Sequence, residues 1–353
     1  MRTGTAILPL HFGSTPYWLF EMMKKLAREI TLAIIKLYGE DQFLIKISDP
    51  FWFQSFGCVL GFDWHSSGLT TTTCAALKEG LNPLQKELGF FICGGKGKAS
   101  RKTPEEIEEK NQWLSLKELK KLIYASRITA KVDNNALQDG YQLYHHTFFF
   151  TSKGKWAVIQ QGMNDQNHLA RRYHWLSDNV SDFVNEPHTG IASERKEKVI
   201  NLIAKESEEA RKINAKIACE KPEKTIKEIK KLKSLKLDQR HQILLSDIQP
   251  ENLNKILLST YEQKPKNFEA LLGIKGVGPK TIRALTLISE IIYKTPYSIR
   301  DPATFSFAHG GKDGIPYPIN KKIYEQSISF LSQAVKKANL GYYEKLNCLR
   351  RLL

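Results

Sequence analysis

The 353-residue sequence has little of what marks a secreted or membrane protein. Its five cysteines, Cys58, Cys74, Cys93, Cys219 and Cys348, are odd in number and scattered, without C-x-x-C spacing. That excludes a ready disulfide framework or zinc ribbon and fits a reducing compartment. No apolar run approaches the roughly 18 residues that a membrane span needs. The best stretch, residues 30–37, is interrupted by Thr31 and Lys36 and reads as a core helix. No signal-peptide hydrophobic core precedes Pro9. A cytoplasmic protein with no membrane partner is expected. The Gly94-Gly95-Lys96-Gly97-Lys98 run lacks the G-K-[ST] ending of a Walker A loop, so no nucleotide cofactor is expected. No internal repeat is visible.

What the chain does have is positive charge: a formal net charge of +16 and a pI near 9.4. A chain this basic usually meets a polyanion, and nucleic acid is the first candidate. The segment Leu271-Leu272-Gly273-Ile274-Lys275-Gly276-Val277-Gly278-Pro279-Lys280-Thr281-Ile282-Arg283-Ala284-Leu285 narrows the choice. One helix ends at Leu272, a glycine-rich turn follows, and Pro279 opens the next helix, where its missing N–H costs nothing. The new helix start offers free N–H groups and the positive end of a dipole to an anion. Ile274 and Val277 are expected to point into the hairpin. This segment resembles the helix-hairpin-helix module that grips the DNA backbone in repair and replication proteins. The resemblance implies DNA contact through Gly276, Gly278, Lys275, Lys280, Thr281 and Arg283, by phosphate recognition with little base specificity. Lys96 and Lys98, in a glycine- and lysine-rich loop ahead of a helix, are further candidates for DNA backbone contact.

Along the chain, strands are expected at residues 5–12, 43–47 and 90–93. Helices are expected from Pro16 towards Tyr38 and from the threonine run to Leu88, and a helix or turn from Asp49-Pro50 through Leu60. Thr103-Pro104-Glu105-Glu106 reads as a capping box. Residues 144–151 and 156–161 read as a β-hairpin about Ser152-Lys153-Gly154-Lys155, followed by a helix around residues 168–176. Residues 194–240 are charged and helical, divided by Pro222. The expected class is mixed α/β or α+β. Its expected parts are an α/β domain over 1–190, a charged helical linker or arm over 191–240, and an all-α DNA-binding domain over 241–353.

The densest set of reactive residue types lies between residues 130 and 175. Asp133, Asp139, His145, His146, Gln161, Arg171, Arg172 and His174 are the candidate catalytic residues. Phosphodiester hydrolysis uses these types: a carboxylate or imidazole binds metal, a base activates water, and arginine stabilises developing charge. Asp133, Asp139 and His146 are the candidate ligands for Mg²⁺ or Mn²⁺. Adjacent histidines on a strand face opposite ways, so only one of His145 and His146 is expected at the site, and the same holds for Gln160 and Gln161. The leading expectation is a metal-dependent deoxyribonuclease. A buried structural role for the same residues leads instead to a DNA-binding protein without catalysis.

Two resemblances complete the reading. Lys280 followed downstream by Asp301 is similar to helix-hairpin-helix DNA glycosylases, in which such an aspartate activates base displacement and the lysine can form a Schiff base. The flanks of Asp301-Pro302 depart from that pattern. Arg2-Thr3-Gly4 with Leu8-Pro9-Leu10-His11, residues 129–146, Gln160-Gln161-Gly162-Met163, residues 170–175, and Asp301 with residues 306–314 together resemble an archaeal and bacterial family, domain of unknown function 763. That resemblance implies that the pieces belong to one protein; it implies no activity.

Overall fold

The computed structural model describes residues 15–63, 66–111, 113–193, 196–235, 245, 248–305 and 321–352. The strand expected at residues 5–12 lies outside them. The chain begins with a helical layer: α1 (Tyr17–Tyr38), α2 (Glu40–Ser48), α3 (Pro50–Val59), α4 (Gly68–Leu81) and the single turn α5 (Gln85–Leu88). The spacing that predicts α1 holds at Leu26, Ile30 and Ile34, which are buried, while Trp18 at its start is exposed. Asp49 caps α3 by accepting from the N–H groups of Phe51 and Trp52 at 2.8 and 3.2 Å, with Pro50 at the first helical position. Residues 43–47 belong to α2 rather than to the expected strand. Phe43, Leu44 and Ile47 are buried on one helical face, a pattern that a five-residue apolar run cannot distinguish from alternation.

Strand β1 (Phe90–Lys96) follows, then α6 (Lys98–Arg101), α7 (Thr103–Lys110) and α8 (Leu116–Lys131). The capping box expected at Thr103 does not form. The Thr103 hydroxyl donates back to the Ser100 carbonyl at 2.8 Å, and α7 starts without a side-chain cap. A capping box forms instead at Ser115 and Glu118, which open α8. A π-helical turn over Val132–Ala136 leads into β2 (Leu137–Gln138). The long strands β3 (Gln142–Thr151), β4 (Trp156–Asn164) and β5 (Leu169–Leu176) come next, then β6 (Gly190–Ser193) and β7 (Ile200–Asn201). The helix expected around residues 168–176 is therefore a strand. All eight residues of β5 are buried, so the alternation that marks a half-exposed strand is invisible in its sequence.

The remaining elements are α9 (Glu208–Ala218), α10 (Pro222–Ser234), α11 (Pro250–Gln263), α12 (Phe268–Gly273), α13 (Pro279–Ile291), β8 (Thr304–Phe305), α14 (Lys321–Lys337) and α15 (Tyr342–Leu352). The main sheet has the order β1-β3-β4-β5-β6-β8, antiparallel except for the parallel pair β6–β8. The fold is α+β. Helices cover both faces of the sheet, and each face has its own apolar core. One core joins Phe91, Phe148, Phe150 and Trp175 to α8 through α13. The other joins Phe90, Ile92 and Phe149 to α1–α4 and to Leu331, Ala334 and Cys348 of the last two helices.

These cores redraw the expected division of the chain. Within the expected linker or arm over 191–240, α9 and α10 are not free: their Ala210, Ile217, Ile229 and Leu232 are buried in the first core. The expected unit over 241–353 is shared between the two faces, because the chain after α13 returns past the sheet edge at β8 and places α14 and α15 beside the N-terminal helices.

Candidate functional site

The alternation of β3, β4 and β5 sorts the candidate residues onto two faces. Cross-strand partners share a face, and the register pairs His146 with Gln160 and Gln160 with Tyr173. It pairs His145 with Gln161 and Gln161 with Arg172. The adjacent arginines expected to hold one phosphate therefore lie on opposite sides of the sheet.

On the face toward α8, two linked polar groups form. Arg171 is fully buried and donates to Asp139 at 2.8 Å, to Asp301 at 2.9 and 3.2 Å, and to the Ser193 hydroxyl at 3.2 Å. Asp139 also accepts from the Tyr173 hydroxyl at 2.8 Å and the Tyr141 N–H at 3.1 Å. Asp301 accepts from the backbone of Glu197 and Ala303 at 3.0 and 2.9 Å. Burial opposes the charge on Arg171, but Asp139, Tyr173 and Asp301 outweigh it and hold the guanidinium pKa above its ordinary value. The second group centres on Asp133, which is fully buried. It accepts from Gln160 at 2.5 Å, from the Trp175 indole at 3.0 Å and is paired with His188 at 2.5 Å. Gln160 in turn faces His146 Nδ1 at 2.8 Å through its carbonyl oxygen, and His146 Nε2 meets the Ser126 hydroxyl at 3.0 Å.

That order fixes the protons. The Gln160 amide donates to Asp133, so its oxygen accepts from His146 Nδ1–H, and the bare Nε2 accepts from Ser126. Burial lowers the His146 pKa and keeps this ring neutral. A serine paired with an oriented imidazole has the layout of a nucleophile and base, yet Ser126 and His146 are only 3% and 5% exposed. The arrangement as it stands fixes α8 and the π turn to the sheet.

The expected metal trio does not assemble. Asp133, Asp139 and His146 already spend their acceptors on protein donors, and among the described residues no group of three His, Cys, Asp or Glu side chains converges as a metal set. Gln160, not Gln161, meets Asp133. His188 was not among the sequence candidates; it sits in the loop before β6, far along the chain from Asp133, and only its imidazole between Pro187 and Thr189 marks it.

On the opposite face, Gln161 donates to the Ser67 carbonyl at 2.9 Å and to the Tyr144 hydroxyl. Arg172 donates to Gln54, Thr70 and His174 Nε2 at 3.0, 3.2 and 2.8 Å and lies 4.6 Å over the Phe53 ring. Burial lowers the His174 pKa well below its ordinary value, with Arg172 adding to the effect, so the ring accepts as a neutral base.

The hairpin between α12 and α13 docks on the Asp133 segment. Lys131 donates to the Val277 carbonyl at 2.7 Å, Gln138 donates to the Pro279 carbonyl at 2.9 Å, and Arg283 donates to Gln138 at 2.9 Å. The Tyr124 hydroxyl bonds Glu269 of α12. Ile274 and Val277 are buried as expected. Lys275, Gly276 and Lys280 are exposed, Gly278 is half-buried, and Thr281 is buried and faces inward. Gly276 has φ +91°, a left-handed conformation that favours glycine. Asp301, the aspartate of the glycosylase resemblance, is clasped by Arg171 and is 6% exposed, so both its oxygens are engaged by the protein. Gly94, Gly95 and Lys96 are part of β1 rather than a loop; Lys96 and Lys98 are both exposed.

A family model described as Protein of unknown function (DUF763) matches residues 4–319. The chain belongs to DUF763. The matched span of this DUF763 protein holds both polar groups around Arg171 and Asp133 and the docked hairpin. No curated protein and no solved structure matches the chain.

Proposed function

We propose that this protein binds the DNA backbone through the turn between α12 and α13, without cutting it. The observation that supports this most is the split of that turn into two sides. Ile274 and Val277 anchor it in the core, while Lys275, Gly276 and Lys280 are presented outward at the start of α13. The first N–H groups of a helix have no intrahelical acceptor, and the helix dipole favours an anion there. The net charge of +16 adds long-range attraction to a polyanion. Catalysis has less support, since the carboxylates expected to hold metal are buried and fully engaged.

The test is affinity for a duplex of arbitrary sequence across a salt series, for the native chain and a Lys275→Ala, Lys280→Ala double variant. Two lost phosphate contacts should flatten the slope of log K against log salt by about 2. An unchanged slope removes the hairpin from the reading. The same duplex incubated with Mg²⁺ or Mn²⁺ should stay intact; cleavage abolished by Asp133→Asn would restore the nuclease expectation.

A further inference from the structure

The turn that leads from β1 into α7 carries four cations in seven residues: Lys96, Lys98, Arg101 and Lys102. All four are exposed. No aspartate or glutamate occurs between Phe90 and Pro104. Among the described residues, none of the four has a carboxylate partner. Glu106, the nearest acid that is not fully exposed, already accepts from Lys78 at 2.7 Å and from the Gly94 N–H at 3.0 Å.

Other lysines at the surface are matched by acids. Lys153 meets Glu40, Lys155 meets Asp41 and Asp178, Lys212 meets Glu208 and Glu209, and Lys224 meets Glu220, all within 3.2 Å. In the turn, Lys98 stands three and four positions before Arg101 and Lys102, a spacing at which like charges repel. A polyanion laid on the turn relieves that repulsion. Gly97 leaves the backbone bare between Lys96 and Lys98. Its φ is +62°, and a Cβ built there meets nothing within 4 Å, so this side of the turn is open. The Ser100 hydroxyl closes the turn from within by donating to the Gly97 carbonyl at 2.6 Å.

This turn and the hairpin lie at the same end of the sheet. The Gly97 N–H donates to the Tyr144 carbonyl at 2.8 Å, and the N–H of the preceding Leu143 donates to Asn134 at 3.4 Å. The neighbouring Asn135 donates to the Val277 carbonyl in the hairpin turn at 3.4 Å. With about 3.8 Å between successive Cα atoms and ordinary hydrogen-bond lengths, this path is no longer than about 30 Å. One turn of a DNA duplex runs about 34 Å, so a single short duplex can reach both places.

We infer that residues 96–102 form a second grip on the DNA backbone, so that one duplex lies across this turn and the hairpin between α12 and α13. The inference rests on the hairpin reading and adds a second half to the binding face. Phosphates are the expected contacts, since they set position and carry no sequence information.

Binding of a duplex of about 20 base pairs across a salt series tests it on the full chain, well beyond the single turn that the two grips need. A Lys98→Ala, Arg101→Ala, Lys102→Ala triple variant should flatten the slope of log K against log salt by about 3, and by about 5 when combined with Lys275→Ala and Lys280→Ala. Its melting temperature should be native, because the three side chains are exposed. If the triple variant fails to fold, Lys98→Ala alone decides, with an expected change of about 1. Lys98→Arg with Lys102→Arg keeps the charges and should keep the native slope. The control is Lys36→Ala, Lys86→Ala, Lys337→Ala, which removes equal charge from exposed positions on α1, α5 and α14 and should leave the slope near native. A native slope for the triple variant, or an equal change in the control, would overturn the second grip. The hairpin reading fails separately, if Lys275→Ala, Lys280→Ala alone leaves the slope unchanged. At saturation the native chain should hold one duplex; two duplexes per chain would overturn the shared path.

Discussion

Arg171 and Arg172 are neighbours in sequence and equally buried, yet they occupy opposite electrostatic worlds. Arg171 lies between two carboxylates, and its charge is stabilised. Arg172 is surrounded by Gln54, Thr70, His174 and the Phe53 face, and burial pulls its pKa down to about 9. Strand β5 is buried along its whole length, so each face had to solve the problem of its polar residues separately. One face did so with an ion triad that ties β5 to Asp139 after β2 and to Asp301 ahead of β8. Among the described residues, the other used neutral acceptors and a ring.

The largest expected effect tests that difference directly. Arg171→Met should cost about 3–5 kcal/mol in urea unfolding at neutral pH, because it strands two buried carboxylates. Arg172→Met should cost less, about 1–3 kcal/mol, because the acceptors it strands among the described residues are neutral. Adding Asp139→Asn and Asp301→Asn to Arg171→Met should recover part of the loss. Equal costs for the two arginines would break the comparison.

Acid should expose the shared cost of burial. His145, His146 and His174 all have pKa values lowered first by burial, to about 3 for His145. In the unfolded chain they titrate near 6.5. The unfolded state therefore binds more protons below that value, and stability is full above pH 6.5 and falls as pH drops through it. A histidine that stays neutral in the folded state contributes up to about 1.4 kcal/mol per pH unit, and His145, lowered to about 3, gives nearly that much between roughly pH 6 and 5, with His146 and His174 adding in the same direction. His145→Gln should reduce the measured slope by about 1 kcal/mol per pH unit. A flat stability profile over that interval would mean that the rings are protonated in the folded state.

How much of this was readable beforehand follows from which signals are local. The hairpin was legible because its glycines, Pro279 and flanking apolar pairs act within a few residues. So was the β3–β4 hairpin about Gly154. The strand β5 was not, because Leu169, Arg171, Tyr173 and Trp175 face one core while Ala170, Arg172 and His174 face the other, and no exposed position shows the period. The sequence placed His145 and His146 on opposite faces, as register requires, but could not say which one meets Asp133's network. Asp301 as the partner of Arg171 was hidden by distance along the chain: its segment resembled a glycosylase motif, and only the return of the chain beside β6 shows it to be a clasp. His188 was missed for the same reason.

The smallest effect separates the closed interior from the open hairpin, and two lysines carry it. Lys131 is half-buried, its pKa is lowered by burial, and its ammonium donates to the Val277 carbonyl. Lys280 is exposed on the first turn of α13. If the hairpin binds phosphate, Lys280→Ala should remove one counterion-releasing contact and reduce the salt slope by about 1, with stability almost unchanged. Lys131→Met removes an equal formal charge but no phosphate contact. It should lower stability by about 1 kcal/mol and loosen the turn, weakening DNA binding without changing the salt slope. Thermal unfolding and a salt titration on the same two variants give four numbers. A slope change for Lys131→Met equal to that for Lys280→Ala would mean that the response reports net charge alone, and that the turn has no special place in binding.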